Sequence, residues 1–179
     1  MFKIMLTILA VAVIGFVMVV GMQPADFRIS RTMTMSAPAP VVFEQVNDFH
    51  KWGAWSPWAK LDPNQKNTFE GPESGVGAVL RWEGNREVGV GSMTIIESRP
   101  SDLVRMKLEF LKPFAATDTA EFTFKAKGNQ TEVTWSMYGK NDFIGKAMNL
   151  VMNCDKMVGG MFEKGLTNMK GTVEAPTKE

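Results

Sequence analysis

Few side chains in this sequence have nucleophilic or metal-binding chemistry to offer. There is one histidine, His50, and one cysteine, Cys154. A lone imidazole and a lone thiol cannot build the four-ligand sets of structural zinc, and one cysteine closes no internal disulfide. The sequence has no Gly-x-Ser-x-Gly elbow, no P-loop and no three-glycine dinucleotide fingerprint. Gly75-Val76-Gly77 and Gly89-Val90-Gly91-Ser92 lie in strand-like surroundings, whereas a phosphate cradle needs a helix start. His50 falls at a predicted helix end with no Ser or Cys motif nearby and reads as an exposed structural histidine. Cys154 falls on an apolar stripe and reads as a packing residue. The chain is expected to carry no metal and no cofactor.

Glu87 is the carboxylate with an unusual expected setting. Gly84-Asn85, flanked by strand-like runs, reads as a two-residue hairpin turn. That register opposes Trp82 to Glu87, Leu80 to Gly89 and Ala78 to Gly91. It puts Glu87 on an apolar inner face, where its pKa would rise and it would serve as an acid or base. The bland alternative leaves it in water at the end of the sheet, or paired with Arg86 or Arg81. Gly89 and Gly91 on the same face either vacate volume for a ligand or mark a bend.

Aromatic chemistry is concentrated in Lys51–Pro63, which holds three of the five tryptophans: Trp52, Trp55 and Trp58. A cation cage, a helical stripe, a membrane belt and packing under a loop all fit three-residue spacing. Gly53 and Pro57 break a continuous stripe, and Pro57 biases Ser56 toward extended geometry. The expectation is that the rings pack at a helix end and the loop after it, with at least one at the mouth of a pocket.

The elements that must position these residues show in the apolar periodicity. Thr68 to Tyr138 alternates with period two. A two-residue turn at Gly128-Asn129 opposes Phe124 to Val133, Phe122 to Trp135 and Ala120 to Met137, all apolar. Glu121, Thr123, Lys125, Glu132 and Thr134 fall on the other face, and a one-residue slip would destroy the agreement. Met93, Ile95, Val104, Met106, Leu108 and Phe110 extend the inner face, giving an antiparallel meander with one dry side. Phe27–Met35 reads as a further strand, and a helix is predicted from about Pro40 to Asp48. After Gly139, apolar residues recur at three and four, from Ile144 to Met169. This predicts one amphipathic helix from Phe143 to about Thr172, bent at Gly159-Gly160, covering the dry face.

The whole chain sets the outer bounds. Its 179 residues suit one domain with an appendage. Lys plus Arg is 20 against 19 Asp plus Glu, which excludes a basic nucleic-acid footprint. The 14 methionines suit adaptable apolar packing. Ile4 to Met22 carry no charge and as a helix would span ~29 Å, close to the ~30 Å bilayer core. A cleaved signal peptide is the rival, but Val19-Val20-Gly21 is a weak cleavage site. The expected organisation is a single-pass membrane anchor over 1–22, a linker over 23–26, a domain over 27–173 and a tail over 174–179. Lys3 with the terminal amine balances Arg28 and Arg31 across the anchor, so charge selects no orientation.

This order of elements, with the stretches VNDFHKWGAWSPW (46–58), GPESGVGA (71–78), WEGNREVGVGSMTI (82–95) and MNCDKMVGGMFEKGL (152–166), resembles the START-like (SRPBCC, helix-grip) superfamily. It is most similar to the membrane-anchored polyketide cyclase/dehydrase-like branch. Cys154 and Gly160 depart from the pattern. The resemblance implies an α+β fold in which a curved antiparallel sheet wraps around a long C-terminal helix and encloses a pocket for an apolar molecule. The residues expected to line it are Trp55, Trp58, Leu80, Trp82, Gly89, Gly91, Met93, Met106, Leu108, Phe110, Phe122, Trp135, Met148 and Met152. No catalytic set carries over. The expected function is binding of a lipid, isoprenoid or polyketide-like molecule by a membrane-anchored monomer. The alternatives are a cyclase or dehydrase using Glu87, and a protein-interaction module with a filled core.

Overall fold

The computed structural model describes residues 1–175, so residues 176–179 of the expected tail lie outside the described residues. An apolar helix, α1 (Phe2–Met22), precedes strand β1 (Asp26–Met35) and helix α2 (Ala39–Asn47). A single turn of 3₁₀ helix at Phe49–Lys51, helix α3 (Trp52–Trp55) and a second such turn at Pro57–Lys60 carry the tryptophans. Six strands follow: β2 (Lys66–Glu70), β3 (Val79–Glu83), β4 (Val90–Arg99), β5 (Leu103–Lys112), β6 (Ala116–Lys127) and β7 (Gln130–Lys140). Helices α4 (Phe143–Val151) and α5 (Cys154–Val173) finish the described chain.

The strands form one antiparallel sheet in the order β1-β7-β6-β5-β4-β3-β2, with the first strand closing onto the last. Alternation puts apolar side chains on the inner face, against α5, α2 and α3. The β6–β7 register is the one the Gly128-Asn129 turn predicts, with Phe124 opposite Val133, Phe122 opposite Trp135 and Ala120 opposite Met137. The outer face is polar. There Glu121 is buried beneath Arg28, Arg105 and Tyr138, with Arg28 also lying 4.8 Å over the Tyr138 ring.

The β3–β4 connection corrects the sequence expectation. Trp82 pairs with Gly91 rather than Glu87, and Leu80 with Met93 rather than Gly89. Both partners move by four positions (91 against 87, 93 against 89). Because four is even, the residues that pair keep their expected face, while Glu87 and Gly89 fall in the loop instead. The loop is longer because polar side chains satisfy its backbone. Asn85 Oδ1 accepts the N–H groups of Glu87 (2.9 Å) and Val88 (3.2 Å), and Asp62 Oδ2 accepts that of Asn85 (2.6 Å). Gly89 then turns at a φ of +72°, the left-handed region that favours glycine.

The C-terminal helix is also corrected. It is two helices, broken at Met152-Asn153, where Asn153 Oδ1 accepts the Lys156 N–H (2.9 Å) and caps α5. Gly159, the expected bend, sits inside α5 and is a point of close approach instead. A Cβ there would stand 2.0 Å from Nη2 of Arg31, an inner-face residue of β1. The guanidinium lies across this gap and reaches Asp155 (3.0 Å) and Glu163 (2.7 Å), one turn to either side. This clamps α5 over β1, and Phe162, Leu166 and Met169 fill the space beneath it. Helix α4 contributes no residue to the core and packs against α1.

Candidate functional site

The inner face is closed at one end and open at the other. Where α2, α3 and α5 cover it, Val104, Met106, Phe122, Phe124, Val133 and Trp135 are buried. Toward the end where β1 starts and β7 stops, Phe27, Phe110, Asp118 and Met137 become half-buried. The cover stops before the sheet does, because α5 begins only near Arg31, in the middle of β1. At this open end the dry face keeps side chains that are only partly covered.

Among the described residues Asp118 is the carboxylate on that surface. The alternation Phe124, Phe122, Ala120, Asp118 brings it to the inner face, opposite Leu108 of β5. Gly139, the next inner position of β7, leaves it room. A Cβ there would stand 2.1 Å from Asp118 Oδ1 and 3.3 Å from the Phe27 ring. Among the described residues no side chain donates a hydrogen bond to it or forms an ion pair with it. Burial without compensation pushes its carboxyl above the usual range. Sequence reasoning missed it, although the Gly128-Asn129 register extended by one inner-face step places it. Glu87, the carboxylate chosen from sequence, is exposed in the Gly84–Gly89 loop because the β3–β4 turn is longer than two residues.

The other expected lining residues divide by position. Trp58, Met93 and Phe110 are half-buried, while Leu80, Trp82 and Leu108 are buried on the same inner face. Trp82 folds over Gly91 and meets Phe110 edge-on at 6.0 Å. The space vacated at Gly91 is therefore filled from within the protein: a Cβ there would stand 2.4 Å from the Trp82 ring and 2.4 Å from the Glu109 carbonyl oxygen. Gly89 leaves the inner face altogether, with the Lys112 carbonyl oxygen 2.4 Å from where its Cβ would be. Met148 and Met152 belong to α4 and the break after it, away from the core.

Trp55, Phe122, Trp135 and Met106 are locked in the core rather than the open end. Trp135 stacks on Phe162 (4.3 Å, 11°) and on Phe122 (4.7 Å, 27°), and meets Trp55 edge-on at 5.6 Å and Trp58 at 5.7 Å. The indole N–H groups of Trp52 and Trp55 donate to the carbonyls of Val46 and Gln45, both at 3.0 Å. The tryptophan stretch is thus an aromatic plug under a looped segment, as expected, with Trp58 at its accessible edge. It fills the deep half of the inner face.

Two surface hollows lie at the closed end. One, of about 290 Å³, is lined by Phe49, His50, Phe69 and Gly71, and the other, of about 510 Å³, by Phe43, Asn47, Lys51 and Pro100. His50 stacks on Phe69 (4.1 Å), and Asp48 accepts its backbone N–H (2.8 Å). Its contacts are those of a structural histidine. Cys154 is half-buried at the start of α5. Among the described residues no group of three or more His, Cys, Asp and Glu side chains is placed to hold a metal ion.

Comparison with known proteins agrees with this architecture. Residues 26–174 match the family described as polyketide cyclase / dehydrase and lipid transport. No curated protein matches. Among solved structures, the chain is similar to major latex-like protein 151 of Panax ginseng (14% identity, TM-score 0.60, covering 84% of this chain and 99% of that one). It is similar to the Aha1 dimer of Colwellia psychrerythraea (14%, 0.54, 85% and 99%). It is also similar to the di-domain ARO/CYC BexL of the BE-7585A biosynthetic pathway (17%, 0.64, 88% and 53%), about half of whose length it spans. At these identities the likeness is one of fold.

Proposed function

The chain belongs to the polyketide cyclase / dehydrase and lipid transport family, and from that premise we propose that it is a membrane-anchored binder of a hydrophobic small molecule, a lipid, isoprenoid or polyketide-like compound. The observation that carries this reading is the inner face losing its helical cover at the end nearest α1. A strip formed by Phe27, Met93, Phe110 and Met137 is left there as an apolar surface that burial of a ligand would remove from water. The aromatic plug limits the ligand to this open half. Asp118 gives the strip one polar end and favours a ligand with a hydroxyl or other hydrogen-bond donor at its terminus. Helix α1 is long and apolar enough to cross a membrane, which supports the anchor.

A second reading, a cyclase or dehydrase, is favoured by the same carboxylate. A half-buried acid with no side-chain partner among the described residues and a raised pKa is suited to proton transfer, and it takes the role first assigned to Glu87. Native mass spectrometry of the detergent-purified full chain tests the binding reading. The parent should retain a hydrophobic adduct, and Met137→Trp, which fills the strip, should lose it. A parent that carries no adduct and takes up no added lipid or isoprenoid overturns ligand binding.

A further inference from the structure

Helix α4 presents its apolar side to solvent. At about 100° per residue, Phe143, Ile144, Ala147, Leu150 and Val151 fall within an arc of about 120°, while Gly145, Lys146 and Asn149 fall outside it. All but Ala147 of this arc are exposed, Val151 at 75%. Leaving such a face in water is costly, and the described chain covers it only in part.

Its position tells what covers it. Helix α4 packs against α1, whose one buried residue is Val20. The chain between α1 and β1 is three residues, Gln23 to Ala25, which span at most ~11 Å. Asp26, where β1 begins, pairs with Lys140, where β7 ends, and the Asn141 N–H donates to the Ala25 carbonyl at 2.8 Å. The exit from α1 and the entry to α4 are therefore joined at one end of the sheet. The β5–β6 turn lies at that end too, beyond the Phe110–Ala116 pair, and it exposes Leu111 (60%) and Phe114 (58%). Lys112, Lys140 and Lys146 are interspersed among these apolar residues. Apolar side chains framed by lysines beside a candidate membrane span are the pattern of an interfacial surface.

We infer that α4 and the β5–β6 tip form a membrane-docking face, seated in the headgroup–acyl boundary of the leaflet that α1 enters, with the lysines favouring anionic lipid. The inference rests on the anchoring role of α1. Its consequence is that the open end of the inner face, with Phe27, Phe110 and Asp118, meets the bilayer, so that an apolar ligand passes between leaflet and protein without crossing water.

Depth-dependent quenching on the full chain in anionic vesicles tests this. In a Cys154→Ser background, single cysteines replace Ile144, Val151, Phe114, Val11 of α1 or Thr123 of the outer face. Each is labelled with a small fluorophore and exposed to lipids spin-labelled near the headgroup or at the chain centre. Labels at 144, 151 and 114 should be quenched by the shallow probe, the label at 11 by the deep one, and the label at 123 by neither. Quenching at 11 with none at 144, 151 and 114 overturns the docking face and leaves the anchor standing. No quenching at 11 overturns the anchor itself. In that case quenching at 144 and 151 still supports a docking face, as a peripheral contact, and its absence there removes both. Labels at 144 and 151 shielded from lipid and from a water-soluble quencher alike, with cross-links between copies, assign the face to a second copy and overturn the inference.

Discussion

The carboxylate of Asp118 lies over Gly139, with Oδ1 2.1 Å from the point where a Cβ on that glycine would stand. A neutral gap in one strand thus houses an acid from the next, on a face otherwise built of Phe27, Leu108 and Met137. The pair gives the open end a partly buried acid whose carboxyl lies above the usual range.

Asp118 has a raised folded-state pKa because burial opposes its charge. The native state therefore holds a proton that the unfolded chain has released. Stability falls as pH rises from the unfolded value of about 3.9 through the raised folded value, and the loss persists above it. Asp118→Asn removes this dependence. Thermal melts should show the variant more stable than the parent at pH 7, with the two converging below about pH 4. A variant less stable at pH 7 would show that the carboxylate is paired rather than isolated.

Gly159 and Gly160 are neighbours on α5 with opposite expected behaviour. Gly159→Ala drives a methyl into the Arg31 guanidinium and disturbs its pairs with Asp155 and Glu163, so urea unfolding should show it less stable than Gly160→Ala despite the same gain in helix propensity. Gly160→Ala meets nothing within 4 Å and should gain about 0.5–1 kcal/mol. Equal effects at both sites would refute the clamp.

Trp55 is fully buried and Trp58 half-buried in the same aromatic plug. Trp55→Ala should cost about 3–5 kcal/mol, the range of buried aromatic truncations, and Trp58→Ala distinctly less. Trp58→Ala should weaken ligand retention at the open edge. If Trp55→Ala left stability unchanged, the plug would not be a core.

Glu121 on the outer face behaves oppositely to Asp118. Burial opposes its charge, but hydrogen bonds from Arg105, Tyr138 and Arg28 outweigh this and hold its carboxyl below the usual range. Its stabilisation is present above the unfolded value of about 4.3 and is lost as pH falls through the lowered folded value. Glu121→Gln should therefore destabilise at pH 7 and flatten the acid limb of the stability curve. An acid limb unchanged in Glu121→Gln would show that the network adds nothing.

Local sequence determined which face most strand residues take, because side chains alternate along a regular strand; the irregularity between Ile95 and Glu97 reverses that parity at the end of β4. Local sequence also determined the β6–β7 register, because Gly128-Asn129 turns with local residues alone. The β3–β4 loop escaped it because Asp62, a residue distant in sequence, stabilises the Asn85 turn and lengthens the connection. With that, Glu87 moved off the inner face. The stripe from Ile144 to Met169 concealed a break for a related reason. Apolar spacing records that a helix buries a face, not against what, and it runs on across Met152-Asn153 although only α5 meets the sheet. The prominence of Asp118 was likewise a tertiary decision. Parity placed it on the inner face, but its isolation depends on where α5 begins and on Gly139 lying across the ladder, contacts made between segments far apart in the chain.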